Sequence, residues 1–168
     1  WRVLYQVRSE SISQPGEVSF PGGGVEEGET PQQAAVREAV EELNIQPEQI
    51  DILGEIDYLV FERSTIHCFV GRLNLDWMTI VPNEEVARIF TVPLSTLLTI
   101  QPVYYKLDSK VVPECDFPFE RLRGGISYPF SYQKRSIPFY EQLPENIWGM
   151  TAQFTHRFTE IINQQTSL

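Results

Sequence analysis

Three carboxylates, Glu38, Glu41 and Glu42, fall within five residues near the end of a helix-like run. Like charges spaced i,i+3 and i,i+4 repel on a helix by about 0.2–0.5 kcal/mol per pair. The helix dipole also disfavours anions at that end. Arg37 can pair with Glu41 at i,i+4, so a solvated acidic face is one reading of these residues. The flanking loop supports another. Gly22, Gly23 and Gly24 stand between a strand-like run and the helix, where glycine lets the backbone approach a ligand closely. A loop carbonyl and carboxylates one turn apart make an all-oxygen cage. Hard ions such as Mg2+ or Mn2+ prefer oxygen ligands and also bind substrate phosphates. An arriving divalent ion would relieve the repulsion.

The elements that must position these groups are legible from period and punctuation. Strand-like runs fall at 2–7, 18–20, 52–61, 65–73 and 86–92. The acidic helix opens with Thr30 as N-cap, Pro31 at the first helical position and Gln33 completing a capping box. Asn44 follows Leu43, where a residue able to adopt the left-handed conformation is useful. At 100° per residue, Val36, Ala39, Val40 and Leu43 share one side, and Glu38, Glu41 and Glu42 fall on the other. A short helix or turn is expected after Pro93. The stretch 101–143 is rich in Pro, Gly and aromatics, with apolar pieces at 126–132 and 137–140, and suggests an irregular insertion. A last helix is expected over 147–163, with Ile147, Thr151, Phe154, Phe158, Ile161 and Ile162 along one stripe. Strands interleaved with two long helices imply an α/β layered domain.

A chain of 168 residues, 42% hydrophobic, suits a single domain with a real core. Its 13 Lys and Arg against 23 Asp and Glu leave a net charge of −10, so it has no general attraction for nucleic acid or anionic lipid. An anionic substrate would need local basic residues or bound cations. No apolar run is long enough to span a membrane, and no secretory h-region is present. Ser167-Leu168 lacks the preceding basic residue of a peroxisomal address, which points to the cytoplasm. Cys68 and Cys115 make no disulfide framework and suggest small buried hydrophobes in a reducing compartment. His67 and Cys68 are adjacent in a strand and point to opposite faces, His156 sits alone, and neither histidine is assigned a role. The chain opens on "WRVLYQV", inside a strand and without methionine, which suggests a piece of a longer protein or a missing preceding strand.

Gly23, Glu29 and the run Arg37-Glu38-Ala39-Val40-Glu41-Glu42-Leu43-Asn44-Ile45 resemble the Nudix box. Its pattern is Gly-x5-Glu-x7-Arg-Glu-U-x-Glu-Glu-x-Gly-U, with U a bulky aliphatic residue. Every charged position is matched. Ala39 is smaller than the usual aliphatic, and Asn44 replaces glycine, the commonest substitute at a left-handed turn. The resemblance implies the Nudix α/β/α sandwich with a mixed sheet, and hydrolysis of a nucleoside diphosphate linked to another group. It implies that Glu38, Glu41 and Glu42 bind Mg2+ or Mn2+ beside the Gly23 carbonyl, and that Arg37 and Glu29 brace the loop. Glu38 is the expected base, with Glu84 or Glu85 in "VPNEEV" as rivals.

The upstream "LYQVRSESISQPGEVSFPGG" is similar to the segment of coenzyme A pyrophosphatases, Leu-Leu-Thr-x-Arg-Ser/Ala-x3-Arg-x3-Gly-x3-Phe-Pro-Gly-Gly. Leu4, Arg8, Ser9, Gly16, Phe20, Pro21, Gly22 and Gly23 agree. Tyr5-Gln6 replaces Leu-Thr, Ser13 stands for a second arginine, and the spacing to Gly16 is one residue short. "IWGMTA" resembles the helix start of the same subfamily. By this resemblance the small-molecule substrate is coenzyme A or a derivative, with Arg8 on a substrate phosphate. The alternatives are ADP-ribose, a dinucleotide, a nucleoside triphosphate, or a non-catalytic nucleotide-binding domain. Retention of every box glutamate argues against the last.

Overall fold

Branched and aromatic side chains alternate along the first residues, and they form the strand around which the sheet is laid. The computed structural model describes residues 1–108, 112, 115–130 and 134–166. Strand β1 (Arg2–Arg8) lies between β2 (Val18–Ser19) and β5 (Val86–Pro93), antiparallel to both. Its register on β2 places Gln6 opposite Ser19, and on β5 it places Gln6 opposite Ile89. Strands β3 (Ile50–Val60) and β4 (Thr65–Leu73) form a long antiparallel hairpin. Every strand pair with a defined register among the described residues is antiparallel.

Period-2 alternation gives the central sheet two faces. Tyr5 and Val7 of β1 and Val92 of β5 join Leu97, Tyr140, Ile147 and Ala152 in one buried cluster, with Val3 and Phe90 against it. Leu4 and Ile89, the alternate positions, pack against a second cluster of Leu43, Ile45 and Ile80. Helix α1 (Pro31–Leu43) therefore covers one face and α3 (Gly149–Thr166) the other, an α/β/α layering. Helix α2 (Leu94–Leu97) is the expected short turn after β5.

Hydrogen bonds fix α3 to its face. Tyr5 and Thr155 share their hydroxyls at 3.0 Å, and the Thr151 hydroxyl donates to Val18 O at 2.9 Å. The Trp148 indole donates to Glu17 at 2.6 Å. The buried face of α3 thus includes Ala152, Thr155 and Thr159 besides Phe154, while Phe158, Ile161 and Ile162 are only half-buried. The apolar stripe read from the sequence included Thr151 but missed Thr155 and Thr159, which are buried on the same helix. Thr155 and Thr159 also donate to carbonyls of their own helix.

The stretch 101–143 is more regular than its composition suggests. Strands β6 (Val103–Leu107) and β7 (Arg135–Phe139) pair antiparallel, from Val103 opposite Phe139 to Leu107 opposite Arg135. Phe139 stacks on Trp148 at 5.4 Å, which ties this hairpin to the start of α3. The apolar piece at 126–132 forms no strand in its described part, and Ser131-Tyr132, like the terminal Ser167-Leu168, lies outside the described residues. Cys68 is half-buried, with its thiol pushed up to about 12 by burial. Cys115 is exposed, contrary to the expected burial, because it lies in the loop between β6 and β7. No helix among the described residues is long and apolar enough to cross a membrane.

Candidate active site

Helix α1 is set in place at both ends. Thr30, at φ −85° and ψ 157°, accepts from Gln33 N, and the Gln33 side chain returns an acceptor to Thr30 N at 2.9 Å. At the other end Asn44 takes φ 51° and ψ 48°, the left-handed region, and its side chain donates to Val81 O at 3.0 Å. Asn83 N donates to Glu42 O at 2.9 Å. The two bonds lay residues 81–85 against the end of α1, and Glu85 N donates in turn to the Asn83 side chain at 2.9 Å. The distant acid Glu85 therefore comes within electrostatic reach of Glu42.

Arg37 organises the loop. Its Nε and Nη2 meet the Glu29 carboxylate at 2.8 and 3.2 Å, and Nη2 also donates to Gly24 O at 2.9 Å. Its Nη1 meets Glu38 at 2.9 Å and Glu41 at 3.3 Å. One planar five-donor group thus holds three acids and a loop carbonyl, a task a lysine's compact ammonium cannot match. The guanidinium, joined by Glu26 N–H, holds the Glu29 carboxyl below the usual range.

Glu42 departs from the acidic face expected for it. It is only 3% exposed, with its carboxylate accepting from Gly22 N at 2.8 Å. The packing decides this: residues 81–85 and the glycine loop close over a position that a helical wheel leaves at the rim. Burial pushes the carboxyl of Glu42 up, Gly22 N–H and the Gln6 side chain pull it back, and Glu38 and Glu85 add to the rise. Glu41 stays outward, and Glu38 reaches toward the loop. A Cβ on Gly23 would sit 2.3 to 2.6 Å from the Glu38 carboxyl, so only glycine admits that approach. Arg8 turns back on its own loop, with Nε donating to Ser13 O at 2.7 Å and Nη2 to the Ser13 hydroxyl at 3.1 Å.

Among the described residues no three His, Cys, Asp or Glu side chains stand close enough to clasp an ion as they are. The donor chemistry nevertheless fits a hard divalent cation: a buried carboxylate with Glu38 and Glu85 repelling it, and a glycine loop on which Glu38 rests. Sequence reasoning missed Gln6, the polar side chain beside Glu42 on β1. Its signal was an amide at an inward strand position.

A strand, a glycine loop and a helix carrying acids over a buried glutamate, set in α/β/α layers, define the Nudix hydrolases. The chain belongs to that family: the model of the NUDIX domain matches residues 2–114. It is 25% identical to Nudix hydrolase 3 of Caenorhabditis elegans over 96% of this chain and 67% of that protein. It is 34% identical to the peroxisomal coenzyme A diphosphatase of Mus musculus over 75% of this chain and 56% of that one. It is 29% identical to the mitochondrial coenzyme A diphosphatase of Homo sapiens, over 91% and 59%. The chain thus spans 56% to 67% of the length of these relatives.

Proposed function

We propose that residues 1–168 act as one Nudix domain that hydrolyses the diphosphate of coenzyme A or a derivative. The products would be adenosine 3′,5′-bisphosphate and 4′-phosphopantetheine. The observation that carries the substrate is the 34% identity to the mouse coenzyme A diphosphatase, and the upstream Leu4, Arg8 and Phe20-Pro21-Gly22-Gly23 agree with it. Glu38, Glu41 and Glu42, with the Gly23 carbonyl, would hold Mg2+ or Mn2+. When bound, the ion supplies positive charge to the anhydride oxygens and makes a water more acidic.

The chain's own residues do the rest. Glu42 is a fixed anchor, because burial and the Gly22 N–H leave it little freedom. Arg37 keeps the loop and Glu38 in register. Water attacks one phosphorus, the bridging P–O bond breaks, and the water proton passes to Glu38. The Arg37 bond takes up Oε1 of Glu38 and not its second oxygen. Glu85 and Glu84 are the alternative bases. Arg8 would meet a substrate phosphate through the edge of its guanidinium that Ser13 leaves free. A cytoplasmic setting belongs to the same proposal, and fractionation of cells would check it.

The test is incubation with Mg2+ and coenzyme A, ADP-ribose, NADH or a dinucleoside polyphosphate, followed by chromatography. Coenzyme A should give two products, each keeping one phosphate of the broken bridge. Survival of coenzyme A beside ready cleavage of another substrate would overturn the substrate class.

A further inference from the structure

Gln6 is only 1% exposed, on the face of β1 that looks toward α1. Its side chain hydrogen-bonds the Glu42 carboxylate. Its carbonyl oxygen is buried and has no hydrogen-bond partner among the described residues. A buried amide is ordinarily satisfied at both ends, because an orphaned acceptor forfeits its hydration without return. Here one end is spent on an acid and the other is left open beside it. An unpaired carbonyl oxygen next to a buried carboxylate is a hard acceptor of the kind a hydrated divalent cation satisfies.

Strand alternation sets the face of β1 on which Gln6 lies. Tyr5 and Val7 face the cluster under α3, whereas Leu4 and Gln6 face α1, and of these two only Gln6 carries a polar side chain. In the coenzyme A pyrophosphatase segment the matching position is threonine, whose shorter side chain places no amide there. We propose that Gln6 is a positioning residue for the cation site, its N–H group orienting Glu42 and its open carbonyl oxygen facing the ion's surroundings. The proposal rests on the ion-dependent reading given above.

Gln6→Met removes both amide atoms at nearly constant length, and Gln6→Thr keeps a strand-favouring side chain. Mn2+ binding is read by electron paramagnetic resonance of the free ion, in the cold, where a variant of lowered melting point is still folded. Loss of a side chain that orients a metal ligand weakens the ion by about 10- to 100-fold, and that is the loss expected of both variants. Melting without metal should stay close to wild type for Gln6→Met, since the substitution also removes the orphaned acceptor. If both variants bind Mn2+ as tightly as wild type, Gln6 has no such role while the ion-dependent reading stands. If wild type itself binds no Mn2+, both fall.

Discussion

Gly23 is the residue on which the site's geometry turns most directly. Its backbone needs no unusual φ, so a methyl group there is opposed only by what it meets, the Glu38 carboxyl. That group is the far end of a flexible side chain and can swing away. Gly23→Ala should therefore melt within a few degrees of wild type yet displace Glu38. A misplacement near 1 Å in a reacting constellation is worth about 10²-fold in rate. Thermal melts beside turnover measurements check this. Full activity in a well-folded Gly23→Ala protein would remove Glu38 from the chemistry.

At the scale of the element, α1 is a helix whose two ends serve different purposes. The Thr30–Gln33 box stops fraying where the glycine loop enters. Asn44 both turns the chain at φ 51° and ties it to Val81 O, so it holds the 81–85 segment where Glu85 can face Glu42. Asn44→Gly keeps the turn without strain and loses the tie, gaining and losing about 1 kcal/mol each. Its melting temperature should barely change. Asn44→Ala loses the tie and strains the turn together, which should cost about 2 kcal/mol, or roughly 4–8 °C for a domain of this size. Equal melting of the two variants would mean that the left-handed turn is not what limits this end of the helix.

Taken whole, the molecule carries a net charge of −10 and buries an acid, Glu42, in the last turn of α1. Such a fold is stabilised by any cation that binds it and not the unfolded chain. At 100 times its dissociation constant, Mg2+ or Mn2+ adds about 2.7 kcal/mol, which raises the melting temperature by roughly 5–10 °C. Glu42→Gln should abolish that shift. Without metal the variant should melt at or slightly above wild type, because it removes a buried charge that Glu38 and Glu85 repel. Turnover should fall by about 10²–10⁴, the equivalent of several kcal/mol of transition-state stabilisation. Calorimetry with and without the ion separates these effects. An unchanged ion-induced shift in Glu42→Gln would exclude Glu42 as a ligand.

What the sequence determined by itself was local. The caps of α1, the left-handed Asn44, the bounds of β4 and the Arg37–Glu41 pair follow from neighbours a few residues apart. So does the spacing of the box, because helical and strand periods act over one or two turns. The β6–β7 pairing was hidden because its strands are separated by 27 residues of sequence, and no periodicity links them. Only the tertiary structure decided that Glu42 is buried, that Thr155 and Thr159 line the inner face of α3, and that Gln6 and Glu85 stand beside Glu42. Each of these depends on which face of a strand meets which helix, and on how a distant loop lies across a helix end. Register and docking are set by the summed burial of the whole core, a quantity that no short window of sequence contains.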